Sequence, residues 1–280
     1  MGILLTNGDS FTYGDELPGS RQGFDDDGNF LPDKHHHLTF THKLAGKLGT
    51  EYVNLGVNGS SNQKIFRRTM DFLQRTSKKI DYMVVTWSSW GRVEVCSPMY
   101  FFNDKQAFIQ RDCNMNQIIP NHHSGQLRFN VPYGGNDEHE RKCVDAANQW
   151  FELVYNPQTA ILHTLNYMRT VQFVCDIMGI KLIQGIIHNK LWLDVLQTLR
   201  HATLNEPLMK QYVDYLEESF SYLRQECQWG FFDNRKDMIS IAEDNEGFEI
   251  YNLGHVCPKT HEKYAENLYE TFIGMSNASD

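Results

Sequence analysis

The sequence has no run of five or more lysines or arginines, and its formal charge is −9. A general nucleic-acid binder carries a basic stripe that neutralises phosphates, so nucleic acid is not an expected partner. No two cysteines stand in a Cys-x-x-Cys pair; Cys96, Cys113, Cys143, Cys175, Cys227 and Cys257 are scattered. In a chain of 280 residues this reads as the reduced thiols of an intracellular protein, so the expected location is cytoplasmic. No apolar stretch approaches the roughly 20 residues of a membrane span. The opening Met1-Gly2-Ile3-Leu4-Leu5-Thr6 lacks the basic flank of a secretory signal. Neither Gly-x-Gly-x-x-Gly nor a Walker lysine pattern is present, which removes the usual phosphate loop. Complete metal-ligand spacing is also missing: His35-His36-His37, His122-His123, His139 with Cys143, and Asp25-Asp26-Asp27 read better as solvated loops. No cofactor and no metal are expected, and there is no internal repeat.

What is present is enough to build a large core. The apolar fraction is 41%, with 17 Phe, 13 Tyr and 5 Trp, so one domain over residues 1–280 is expected. Ile3-Leu4-Leu5 reads as a buried strand that ends in the turn Asn7-Gly8-Asp9-Ser10, and a polar loop follows over 15–36. Leu38, Thr41, Leu44, Ala45 and Leu48 recur at helical spacing, and Gly49 stops them. A strand at Tyr52–Leu55, a helix after Gly59 and a strand at Tyr82–Trp87 come next. Residues 96–144 break the rhythm and read as an insertion after the third strand, either a lid or a small β subdomain. Helical spacing returns from Val144 to Met178, interrupted at Pro157, and Ile180–Ile187 makes a fourth strand. Residues 190–228 read as mostly helical, Gly230-Phe231-Phe232 as a short fifth strand, and Pro258 as the start of the last helix. Its expected buried stripe is His261, Tyr264, Ala265, Leu268 and Phe272. Alternation of this kind predicts an α/β fold, three layers around a central parallel sheet. Active groups in such sheets gather at the carboxyl ends of the strands, here loops 7–14, 56–62 and 88–94.

Three stretches carry candidate chemistry. In Gly8-Asp9-Ser10-Phe11-Thr12-Tyr13-Gly14 a serine sits just past a strand end, where a base can take its proton. The same composition also makes a plain turn. In Asn54-Leu55-Gly56-Val57-Asn58-Gly59-Ser60-Ser61-Asn62, a glycine at a strand-to-helix junction lets backbone N–H groups face a developing oxyanion. The bland alternative is a sharp connection. In Asn252-Leu253-Gly254-His255-Val256-Cys257-Pro258, a histidine in a polar turn before a helix can reach back to a rim serine, although a lone loop histidine is commoner.

Taken in order, these stretches resemble the SGNH (GDSL-like) hydrolase superfamily. Gly8-Asp9-Ser10 matches its GDS block after the first strand, Gly59 the glycine after the second, and His255 with the following helix through Tyr264-Ala265 its terminal block. The resemblance implies a flavodoxin-like three-layer fold with Ser10 as nucleophile and His255 as base. It implies an oxyanion held by the Ser10 and Gly59 N–H groups, and Asp9 stiffening the turn. Two positions depart from the pattern. The third block, usually Gly-x-Asn-Asp, is here Ser88-Ser89-Trp90-Gly91-Arg92. Ser88, Ser89 or Asn62 stand as substitutes for its oxyanion donor; Trp90 reads either as a sugar-stacking ring or as core or lid packing, and Arg92 either as a partner of Glu94 or as a contact for an anionic substrate group. Similar stretches occur in a branch of GDSL-like proteins from bacteria and phages. The acid, three residues before the histidine, is here Asn252. An amide oxygen fixes the imidazole tautomer but does not stabilise the imidazolium by charge. The open outcomes are a Ser10–His255 dyad, recruitment of Asp244 or Glu249, or weak activity. If Asn252 fills the acid slot, Asn252→Asp is expected to raise turnover of simple esters. The resemblance thus points to an acyl hydrolase cleaving a small or carbohydrate-linked ester. The alternative is a non-catalytic carbohydrate-binding or assembly protein on the same fold.

Overall fold

The structure, a computed structural model, describes residues 2–20, 36–88, 92–96, 115–120, 127–129, 157–186, 210, 214–215, 218, 237–251 and 254–277. Its main sheet has four parallel strands: β1 (Ile3–Asn7), β2 (Glu51–Asn54), β3 (Ile80–Trp87) and β7 (Lys181–Ile186), in the order β2-β1-β3-β7. That is the beginning of the flavodoxin-like strand order, and the position between β1 and β3 is where the winding reverses.

Alternation along the strands sorts side chains into two cores. Ile3, Leu5, Met83, Val85 and Leu182 face α3 (Asn62–Arg75) and α4 (Pro157–Met178). Leu4, Val84 and Ile183 face α2 (Phe40–Leu48), α5 (Met238–Asp244) and α6 (Pro258–Asn277). The result is the expected α/β/α sandwich. The stripe on α6 is buried as the spacing predicts: His261, Tyr264, Ala265, Leu268 and Phe272 are each at most 1% exposed. No helix among the described residues is long and apolar enough to cross a membrane.

Local chemistry sets the helix ends. Thr39 caps α2, accepting from the His42 N–H, and Gly49 ends it at φ 66°. Ser61 caps α3, accepting from the Lys64 N–H. Leu38, expected inside α2, lies instead in a 3-10 turn at His36–Leu38, because the Thr39 cap starts the helix after it. The α5 helix had no counterpart in the sequence reading; at seven residues it is too short to show a clear period. Three short strands, β4 (Val93–Cys96), β5 (Met115–Pro120) and β6 (Leu127–Phe129), form a separate antiparallel sheet after β3. The expected helix over 190–228, apart from helical Lys210, Asp214, Tyr215 and Glu218, and the expected strand at 230–232 lie outside the described residues.

Candidate active site

The three loops at the strand ends meet. Asn7, at the end of β1, donates through Nδ2 to Ile65 O and Thr69 Oγ1 on α3, both at 2.8 Å, and this pins the strand end. The Val57 N–H reaches Gly8 O at 3.3 Å. Asn54 Nδ2 donates to Thr12 O at 2.8 Å, while its Oδ1 accepts from the Gly56 N–H at 2.8 Å. Gly56 has to be glycine for this approach: a Cβ there would stand 2.6 Å from Tyr13 N and 2.9 Å from Thr12 C, both backbone atoms. Gly56→Ala is therefore expected to destabilise the fold by about 2 kcal/mol, as an overpacked site that cannot relax cheaply. A urea melt measures it; a midpoint within error of wild type would contradict the packing described.

Asp9 is the hub. Its carboxylate is fully buried and takes three donors: Phe11 N–H at 3.1 Å, the Ser88 hydroxyl at 2.9 Å and Arg92 Nη1 at 2.6 Å. Arg92 Nη1 also lies 3.4 Å from Ser60 O, so one guanidinium bridges all three loops. As N-cap, Asp9 starts the short helix α1 (Ser10–Tyr13), which Gly14 ends at φ 90°. Ser10 is the first residue of α1 and 5% exposed. Among the described residues its hydroxyl is taken up by no hydrogen bond, and its N–H and that of Gly59 meet no acceptor. Gly59 itself turns at φ 68°.

Two further candidates are occupied. Asn62 clasps Ser88, accepting from its N–H at 2.7 Å and donating to its C=O at 2.9 Å, and also donates to Thr164 Oγ1 at 3.1 Å. The Ser88 hydroxyl is committed to Asp9. Both side chains brace the end of β3, and their polar hydrogens are already used. Ser89, Trp90 and Asn252 lie outside the described residues.

His255 is delivered by a tight loop between α5 and α6. Ile250 and Val256 form an antiparallel bridge, the Tyr251 N–H reaches His255 O at 2.6 Å, and Gly254 turns at φ 93°. The imidazole rests against the ring of Phe11, the residue after Ser10, with centroids 5.0 Å apart. Its Nδ1 lies 3.0 Å from Glu16 Oε2, and its Nε2 is 4.0 Å from Asp15 Oδ2. Among the described residues no hydrogen bond joins Ser10 Oγ to the ring; such bonds are often long in free enzymes and tighten when substrate binds. By sequence Glu16 belongs to the polar loop over 15–36. The signal that marks it is an acidic pair, Asp15-Glu16, immediately after the serine turn. A cleft of about 540 Å³ opens beside Glu16, lined also by Leu17, Pro18, Ser20, Glu249 and Tyr251.

The two thiols among the described residues are unsuited to replace the serine. Burial pushes the Cys175 thiol up. At Cys257 burial also acts upward, but N–H groups of Glu249, Thr260 and Lys259 and the Thr260 hydroxyl outweigh it, so the thiol sits below its ordinary range. That residue is 5% exposed and serves as the cap of α6, closed off from a substrate.

No family model and no curated protein matches the chain. Solved structures do. Among them are G-D-S-L lipolytic proteins and acetylxylan esterases. A protein of the G-D-S-L family from Desulfitobacterium hafniense DCB-2 is 10% identical over 97% of this chain and 99% of its own, with a TM-score of 0.43. A member of the lipolytic protein G-D-S-L family from Veillonella parvula DSM 2008 is 12% identical, over 97% and 98%, with a TM-score of 0.40. A catalytic mutant of Axe2, an acetylxylan esterase from Geobacillus stearothermophilus, is 12% identical, over 96% and 93%, with a TM-score of 0.42.

Proposed function

We propose that this chain is a serine hydrolase that cleaves a small or carbohydrate-linked ester through an acyl-enzyme, with Ser10 as nucleophile and His255 as base. The observation that carries the reading is the state of the His255 ring. It lies on the Ser10 turn with Nδ1 beside a carboxylate and Nε2 without a hydrogen-bond partner among the described residues. An ionised carboxylate only accepts, so the neutral ring carries its proton on Nδ1 and its lone pair on Nε2. That is the tautomer a general base needs.

As the Ser10 oxygen bonds to the ester carbonyl carbon, its proton passes to Nε2. The carbonyl oxygen becomes an oxyanion facing the Ser10 and Gly59 N–H groups, neither of which has to be stripped from a protein acceptor first. Collapse breaks the bond to the alcohol, which leaves with the Nε2 proton. Water then enters by the same steps in reverse and releases the acid. Asp9 and Arg92 keep the three loops in register and take no part in bond making.

The test is covalent labelling. A fluorophosphonate is expected to modify wild-type protein at Ser10, located by peptide mass spectrometry, and a chromogenic acetate ester is expected to show a pre-steady-state burst. Folded wild type that neither labels nor turns over would favour the non-catalytic binder.

A further inference from the structure

We infer that Glu16 is the positioning carboxylate of His255, the part that the sequence resemblance assigns to residue 252; the inference rests on the serine–histidine reading above. The first support is geometric. Glu16 Oε2 lies 3.0 Å from Nδ1 and also 3.4 Å from the His255 backbone N–H. One oxygen therefore holds both the ring and the loop that carries it, across 239 residues of sequence. The second is the surroundings. The Glu16 side chain is 9% exposed and that of His255 12%, with Phe11 packed on the ring. A hydrogen bond so shielded from water, and the charge pair it becomes once the ring takes a proton, is stronger than one at the surface.

The third is conformational. Glu16 is at φ 62°, the only non-glycine with positive φ among the described residues. An L side chain with a Cβ rarely adopts that region, and residues held there gather at functional sites. Gly14 at φ 90° and Glu16 at φ 62° fold the chain back directly after the serine turn. An unstrained glycine would serve the turn alone; a carboxylate there serves His255.

The chemistry follows from charge. When Nε2 takes the serine proton the ring becomes an imidazolium, and Glu16 stays ionised and faces it from Nδ1. No proton moves to Glu16. Asp15, at 4.0 Å, is beyond hydrogen-bond distance of Nε2 and leaves that lone pair to the serine. An amide at 252 is then no defect, because its slot is filled from the other end of the chain.

The experiment measures ester kinetics and the His255 Nδ1 proton together. Glu16→Gln is expected to lower kcat about 1,000- to 10,000-fold with KM little changed, as for loss of a triad acid. Glu16→Asp should recover part of that loss. Asn252→Asp in the wild-type background should leave kcat within about twofold. By NMR, the low-field Nδ1 proton of wild type should keep its shift in Asn252→Asp and move upfield in Glu16→Gln, whose neutral amide is the weaker acceptor. Wild-type kcat in folded Glu16→Gln, or a large gain in Asn252→Asp, overturns the inference. Should Glu16→Gln not fold, Asn252→Asp and Glu16→Asp still decide it. Wild type that shows the Nδ1 signal without any ester turnover or labelling would sink the hydrolase reading instead, and with it the catalytic role of Glu16.

Discussion

Ser10→Ala is expected to lower ester turnover about a million-fold, to the level of the double variant Ser10→Ala/His255→Ala. In the proposed mechanism the serine and histidine act as one unit: without the nucleophile the base has no proton to take, and without the base the hydroxyl is a poor nucleophile. Their losses therefore do not add. Ser10→Ala should also be nearly silent for stability. The Ser10 hydroxyl is spent on no hydrogen bond among the described residues, and alanine is a good helix former at the first position of α1. His255→Ala should match its kinetic loss but melt earlier, because it removes the ring packed on Phe11 and the hydrogen bond to Glu16. Burst kinetics on a chromogenic ester, read beside thermal melts of the three variants, check all of this. Ser10→Ala that keeps even one part in a hundred of wild-type turnover would remove Ser10 as nucleophile.

Arg92→Met is expected to cost about 3 kcal/mol of stability. Asp9 has no exposed surface, and its countercharge sits at 2.6 Å. Removing the guanidinium strands the carboxylate with only Phe11 N–H and the Ser88 hydroxyl. The Arg92 side chain is 20% exposed, so water can follow into part of the gap, which places the cost at the lower end of the range for breaking a buried pair. The double variant Asp9→Asn/Arg92→Met should regain much of the loss, since an amide can still accept from Phe11 and carries no stranded charge. Urea melts measure both, with an unchanged slope indicating that stability rather than compactness has moved. Arg92→Met within about 0.5 kcal/mol of wild type, the ordinary span for a surface change, would show that the pair does not hold the loops. The same substitution tests a link to function. Arg92 ties Asp9, beside Ser10, to Ser60, beside Gly59. Loosening it should shift both N–H groups of the proposed oxyanion site together.

Much of the fold was legible because its signals are local. Leu4 and Leu5 in β1, the Leu44-Ala45 ridge of α2 and the Tyr264–Leu268 stripe of α6 show their periods within a few residues, and Gly49 and Pro258 mark ends by backbone chemistry alone. The α5 helix was illegible because its seven residues make barely two turns. In the site, the Gly8-Asp9-Ser10 turn and the Pro258 helix start could be read directly, since each is a local motif. The loop positions of Asn62 and Ser88 suggest donors toward a substrate; the structure spends their polar groups on each other, on Thr164 and on Asp9, which no spacing rule announces.

The sequence by itself therefore determined the four strands of the parallel sheet, the helices α2, α3 and α6 and the turn that carries Ser10, because propensity, period and capping act over a few residues. Only the tertiary structure decided which charges meet. Arg92 reaches Asp9 across 83 positions and Glu16 reaches His255 across 239, and partners so far apart are selected by how the layers pack. Nothing in the local pattern of either residue records that choice.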